Sequence, residues 1–263
     1  MTRKQFQGDS TRRFTDRVEN YVKYRPDYPA EVVPYLAETI GFTPQMVLAD
    51  IGSGTGKLTQ LFLDNGNPVY GVEPNDAMRA AAEKLLSSYP NFTSTNGTAE
   101  ATTLPDNSVD LITAGQAFHW FKPQPTALEF RRILRPGGYV LLIWNERDTT
   151  TSPFMAAYEQ TLTELAIDYR QYEHKNSGAM EIDEFLPAVG IQTMQQASFV
   201  NYQNFDFTGF KGRTLSSSYS PLPGHPKYEA FITGLQQLFD QQQQAGRVQF
   251  KYETRLYFGQ SLH

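Results

Sequence analysis

A chain of 263 residues that is 40% hydrophobic, 19% charged and 13% aromatic can bury a sizeable core, close to the size at which single cores begin to split. Its 23 basic against 28 acidic residues give a formal net charge of −5, which offers no basic field to a phosphate backbone and argues against nucleic acid as a partner. The absence of cysteine excludes disulfides, thiolate metal sites and a cysteine nucleophile.

The start, Met-Thr-Arg-Lys-Gln-Phe-Gln-Gly-Asp-Ser, has no apolar stretch of the signal-peptide kind, and no run approaches the ~18 residues of a membrane span. A cytoplasmic protein without a membrane partner is expected. Residues 10–40 carry Tyr21, Tyr24 and Tyr28 around Arg25, Pro26 and Pro29, where the prolines break one helix before another at Ala30–Ile40. From Met46 onward, short apolar runs alternate with helical stretches, the pattern of a parallel sheet with crossover helices. The runs are Val47–Asp50, Val69–Glu73, Phe92–Thr95, Asp110–Ala114 and Tyr139–Trp144, and the helices are Lys57–Leu63, Asn75–Ser88 and Pro123–Leu134. Arg135-Pro-Gly-Gly138 is expected to end the last helix. After Asp148 the regularity lapses: helices are expected at Pro153–Tyr172, Glu181–Val189 and Lys227–Gln244, and strands at Phe199–Phe207 and Val248–Phe258. The glutamine run 241–244 reads as a solvated helix face.

Gly52, Gly54 and Gly56 follow a strand directly, and bare backbone there lets amides at a helix N-terminus approach a ligand. A P-loop is excluded, because Ile51 stands where its first glycine belongs and Leu58 where its hydroxyl belongs. A nicotinamide or flavin fingerprint misses at Lys57, one residue beyond the third glycine, and stays open, as does a plain strand-to-helix turn. Glu73, about twenty residues past the loop, could grip both hydroxyls of a ribose. Asp50, at the tip of the first strand, could meet an ammonium group or a helix N-terminus.

The order of Asp50-Ile-Gly-Ser-Gly-Thr-Gly56, Glu73, Gly97-Thr-Ala-Glu100, Leu104-Pro-Asp106 to Asp110 and Leu134-Arg-Pro-Gly-Gly138 resembles class I S-adenosylmethionine-dependent methyltransferases. Within them it is similar to the type 11 domain group of small-molecule enzymes, those resembling trans-aconitate methyltransferase included. The resemblance covers residues 14–148 well, and beyond that only the pattern of last strands and helices agrees. It implies an α/β fold: a doubly wound, seven-stranded, mostly parallel, Rossmann-like sheet with an antiparallel last strand. An N-terminal helical lid (1–40), a cofactor-binding core (41–148) and a helical insertion with the last two strands (149–263) are expected. It implies S-adenosyl-L-methionine as cofactor, with Asp50, Gly52, Ser53, Gly54 and Gly56 forming the loop, Glu73 and Pro74 at the ribose, Ala99 and Glu100 at the adenine edge, and Gln116 facing both cofactor and acceptor. The segment Gly115 to Trp120 looks like a subgroup signature.

Methyl transfer from a sulfonium is an in-line displacement with an activated donor, so the protein supplies mainly orientation and a dry site. His119 is the expected base where the acceptor carries a proton, and Phe118 or Trp120 could face positive charge. His174, His225 and His263 lack metal-ligand spacing, so no metal is expected. Ser216, Ser217, Ser218 and Tyr219 read as a loop or cap that could line an acceptor pocket. Arg25 or Arg213 could pair with an acceptor carboxylate. The partner is then a small-molecule methyl acceptor, with a carboxylate or hydroxyl oxygen as target; a nicotinamide-dependent oxidoreductase and a non-catalytic S-adenosylmethionine-binding module are the alternatives.

Overall fold

The computed structural model describes residues 18–167, 169 and 178–262, with side chains in the last span from residue 182 on. Residues 1–17 of the expected lid, His174 and His263 lie outside the described residues, and the helix expected at Pro153–Tyr172 ends at Leu165.

Seven strands form one sheet in the order β3-β2-β1-β4-β5-β7-β6, with β1 at Leu48–Ile51, β2 at Val69–Val72, β3 at Phe92–Thr95, β4 at Val109–Gly115, β5 at Leu134–Arg147, β6 at Gln195–Phe205 and β7 at Val248–Gln260. The first five strands are parallel, and β7 runs antiparallel to both β5 and β6. All four residues of β1 are buried, because helices cover both faces of a parallel sheet. The doubly wound, mostly parallel sheet is therefore the expected one. The strand order reverses between β1 and β4, which opens a crevice at their carboxyl ends.

Local chemistry sets the crossovers. Helix α1 spans Val18–Tyr24, and α2 (Val32–Ile40) stops at Gly41, whose φ of 66° closes it in the left-handed region. Helix α3 (Lys57–Asp64) follows the glycine loop. Asn75 caps α4 (Asp76–Leu85) by accepting from the amides of Ala77 and Met78, and a proline opens α5 (Pro123–Ile133).

Two expectations need correction. Leu134 caps the end of α5, as expected, but is at once the first residue of β5, so Pro136, Gly137 and Gly138 lie inside a 14-residue strand with a register irregularity against β4 rather than in a turn before it. A Cβ on Gly138 would sit 2.9 Å from the Asp110 carbonyl, so this glycine permits close strand approach. The second correction concerns Phe207, which opens a helix, α8 (Phe207–Leu215), capped by Asp206, while β6 begins four residues earlier than expected.

Helices α6 (Pro153–Leu165), α7 (Gly178–Val189) and α9 (Tyr228–Gln242) complete the described elements. Tyr158, Phe210, Phe231, Leu235 and Phe250 form a hydrophobic cluster separate from the two that flank the sheet. Because β7 pairs with β5 as far as Arg147 opposite Tyr252, this third cluster sits beyond the carboxyl end of β5 and walls one side of the crevice. No helix among the described residues is long and apolar enough to cross a membrane.

Candidate active site

The glycine loop wraps the tip of β1. Gly52 has φ +69°, and a Cβ there would lie 2.6 Å from that of Ala117, so the loop can meet the turn after β4 only without a side chain. Gly54 donates its amide to Glu73 Oε2 at 2.9 Å, and Asn75 donates to Oε1 at 2.8 Å. One carboxylate is thereby aimed by two backbone groups from two loops. Burial pushes the Glu73 carboxyl up, against the pull of these amides and of Arg79. Each oxygen accepts one backbone bond and keeps further acceptor capacity toward the crevice.

The crevice has two connected parts that share Tyr21, Gly52, Gly115 and Gln116. The smaller, about 270 Å³, is bounded by Gly54, Glu73, Pro74, Ala99, Glu100 and Trp120 among others. The larger, about 720 Å³, is bounded by Asp50, Ser53, His119, Arg147, Arg213 and Tyr219 among others. Nearly all of the residues singled out in the sequence thus surround one space. Gly56 does not border it: its φ is +86° and a Cβ would strike Leu86 Cδ1 at 2.6 Å, so it serves helix packing. Glu100 Oε1 accepts the Lys122 amide at 2.9 Å, which ties the loop after β3 to the start of α5.

Asp50 is buried, and its two oxygens accept from Thr59 Oγ1 at 2.7 Å and Thr113 Oγ1 at 3.1 Å. Burial raises its pKa to about 6, against those hydroxyls, with the neighbouring Glu73 charge adding to the rise. Gln116 takes φ +58° at the end of β4, an uncommon conformation for a residue with a side chain. Its amide donates to the Ile143 carbonyl and its Nε2 to the Asn145 carbonyl, both at 3.0 Å. His119 lies on the short helical turn Phe118–Trp120, exposed, with its ring 5.0 Å from that of Trp120. Phe118, by contrast, is buried against Phe185 and Trp144.

Arg25, Pro26 and Tyr28 border the larger part of the crevice. Asp27 accepts from Lys57 Nζ at 2.6 Å, and its carbonyl accepts from Asn201 Nδ2 at 2.8 Å and Asn145 Nδ2 at 3.3 Å. Tyr24 lies directly against Gly212 of α8, where a Cβ would stand 2.1 Å from the ring.

Two residues escaped the sequence reading. Asn145 and Arg147 lie at the end of β5, beyond its expected end at Trp144, whereas Tyr219, expected in a loop or cap that could line an acceptor pocket, borders the larger cavity. Arg147 donates to Tyr219 Oη at 2.6 Å, Tyr169 Oη at 2.5 Å and Glu159 Oε2 at 3.2 Å. Arg25 donates to the Ser216 carbonyl at 3.0 Å, and Arg213 to Tyr252 Oη at 2.8 Å. Ser217 Oγ accepts from both Arg25, at 3.4 Å, and Arg213, at 3.3 Å. The only signal in the sequence was the position of Asn145 and Arg147 at the carboxyl end of a strand, where open α/β sheets bind ligands.

Residues 49–142 match the family model described as "Methyltransferase domain". This stretch is a class I S-adenosylmethionine-dependent methyltransferase domain. An uncharacterized methyltransferase of Mycobacterium tuberculosis is 39% identical over 140 residues, 53% of this chain and 55% of the relative, so the match spans about half the length of such curated relatives. An uncharacterized methyltransferase of Schizosaccharomyces pombe is 26% identical over 95% of this chain and 98% of its own. Among solved structures, a putative type II methyltransferase from Anaeromyxobacter dehalogenans superposes with a TM-score of 0.62 at 20% identity, over 91% of this chain and all of that one. A Haemonchus contortus phosphoethanolamine N-methyltransferase, solved with phosphomonomethylethanolamine and S-adenosylhomocysteine, gives a TM-score of 0.58 at 15% identity, over 98% of this chain and 61% of that one. The methyltransferase domain thus supplies the glycine loop, Glu73 and the turn after β4, while Arg147 and Tyr219 lie outside the matched residues.

Proposed function

We propose that the chain transfers a methyl group from S-adenosylmethionine to an oxygen of a small-molecule acceptor, a carboxylate or a hydroxyl. The observation that carries this reading is the Glu73 carboxylate, fixed by the Gly54 and Asn75 amides at the rim of the smaller cavity. A vicinal diol offers two donors to the two oxygens so presented, which fits a ribose and leaves no role for a phosphate. S-adenosylmethionine supplies a methyl group on a sulfonium, transferred with the sulfur keeping the electron pair of the broken bond.

The chain's own residues bind, orient and exclude water. Glu73 and Pro74 hold the ribose side, and Ala99 and Glu100 border the adenine side of the same cavity. Gly52, Ser53 and Gly54 present bare backbone along the methionine part, Gly56 keeps α3 against Leu86, and buried Asp50 closes the floor. Gln116 stands where the two cavities meet and orients both reactants. Residues 1–40 act as a lid, 41–148 as the cofactor-binding core, and 149–263 as the remainder that shapes the acceptor side. A carboxylate acceptor has no proton to lose, whereas for a hydroxyl the exposed imidazole of His119 takes it.

Labelled S-adenosylmethionine, incubated with the protein and matched panels of small carboxylic acids, phenols and amines, tests the reading: label is expected in an ester or ether. His119→Ala separates the two oxygens. A hydroxyl acceptor loses about 10²–10⁴-fold in kcat, and a carboxylate acceptor keeps its kcat. Label found only in amines would refute an oxygen acceptor.

A further inference from the structure

The side of the larger cavity away from the glycine loop holds more buried positive charge than the described residues neutralise. Arg213 is 3% exposed, and the side chain of Arg147 is 19% exposed. Arg25 and Arg213 meet at Ser217 Oγ, and among the described residues neither pairs with a carboxylate. Among the described residues Glu159 alone pairs with Arg147, so two of the three guanidiniums have no counterion there. The Nε atoms of both Arg25 and Arg147 are buried without a hydrogen-bond partner, although a guanidinium carries five donors that ordinarily find acceptors when removed from water. Tyrosine rings surround the cluster: the Arg147 guanidinium lies 5.7, 5.8 and 5.9 Å from the rings of Tyr158, Tyr169 and Tyr219. Such faces soften isolated charge without neutralising it. The cluster sits in a chain of net charge −5, so its sign is a local feature.

Burying an unpaired guanidinium is costly, and the cost is recovered only when an anion with acceptor oxygens arrives. We propose that Arg25, Arg147 and Arg213 form an anion-binding chamber, and that the methyl acceptor is a small molecule carrying two oxyanion charges. One oxyanion is held between Arg25 and Arg213, and the other by Arg147 beside Tyr219. Two carboxylates and a phosphate monoester share this chemistry. The inference rests on the methyltransferase reading for the identity of the ligand as acceptor, but not for the chamber's charge.

The test is isothermal titration of the full chain, with and without saturating S-adenosylhomocysteine, using succinate, inorganic phosphate and the neutral succinamide at constant ionic strength. Saturable binding of succinate or phosphate is expected, with none of succinamide, and Arg25→Gln and Arg147→Met should each weaken it at least tenfold while S-adenosylhomocysteine affinity stays within twofold. Tighter succinate than phosphate assigns two carboxylates, and the reverse a phosphate monoester. Should Arg147→Met fail to fold, Arg25→Gln, whose side chain is only half-buried, carries the comparison, and its thermal midpoint without anion should rise as Arg25–Arg213 repulsion is relieved. Absence of saturable binding for both anions, or binding indifferent to Arg25→Gln, overturns the chamber. Loss of S-adenosylhomocysteine binding with anion binding intact overturns the methyltransferase reading instead.

Discussion

Replacing Glu73 with glutamine isolates the group on which the donor assignment rests. Glu73 is 8% exposed and accepts one amide on each oxygen. A carboxamide has the same shape but presents an NH₂ on one side, so one backbone amide faces a donor and one ribose hydroxyl loses its acceptor. A hydrogen bond to a charged partner contributes about 1.5–3 kcal/mol, and each 1.4 kcal/mol is tenfold in Kd. Losing one such bond to the ligand therefore weakens S-adenosylhomocysteine binding by roughly 10- to 150-fold. The fold should survive, because burial already raises the Glu73 pKa and so disfavours its charged form, and a neutral side chain escapes that penalty as it gives up one amide bond. Titration calorimetry on wild type and Glu73→Gln, with circular dichroism as a check on folding, measures the difference. A folded variant whose Kd lies within threefold of wild type refutes the ribose assignment.

Three further outcomes follow from the structure. Burial raises the Asp50 pKa to about 6 from 3.8, so its contribution to stability is present below 3.8 and is lost as pH rises through 6; urea unfolding should find Asp50→Asn more stable than wild type at pH 8, by up to about 3 kcal/mol, with the gap vanishing near pH 4. Gly212→Ala should lower the thermal midpoint, because the methyl group meets the Tyr24 ring and overpacking of about 1–3 kcal/mol outweighs the ~0.5–1 kcal/mol that alanine gains over glycine in a helix; a raised midpoint would show that Tyr24 does not rest there. Burial pushes the Glu129 carboxyl up, but hydrogen bonds from Arg132 and Thr102 outweigh it and hold the pKa at about 2. Its stabilisation is thus present above 4.5 and lost toward 2, so Glu129→Gln should destabilise at pH 7 by about 1–3 kcal/mol, and the deficit measured in urea should shrink as pH falls below 4.5.

The glycine-loop side of the crevice was legible in the sequence because its determinants are local. Asp50 to Gly56 form one continuous turn, and Glu73 closes the next strand, so spacing alone brings them together. The opposite side was legible only in part: Arg25, Arg213 and Tyr219 were singled out, whereas Asn145 and Arg147 were not, because their place depends on contacts between distant segments. Arg147 enters the cavity only because β5 continues past Trp144, and that extension exists because β7 pairs with it as far as Tyr252. Helix α8 was hidden by Gly209 and Gly212, which lower helix propensity. Both are needed for close contact, Gly209 with the Phe205 ring and Gly212 with Tyr24, so tertiary packing overrides propensity there. Helix α5 ends directly before Arg135–Gly138 as expected, but β5 begins there rather than at Tyr139, because proline and glycine mark a bulged strand entry as readily as a helix stop.

Methyl transfer to a small acceptor is tested by following the methyl group itself. The full chain is incubated with S-adenosylmethionine carrying a ¹³C-labelled methyl group and a small-molecule extract, and the products are resolved by mass spectrometry. A labelled methyl ester or ether of a small anionic compound, absent with Glu73→Gln, is the predicted result. Stabilisation of the chain by NADH but not by S-adenosylhomocysteine, with no label leaving the donor, would contradict methyl transfer.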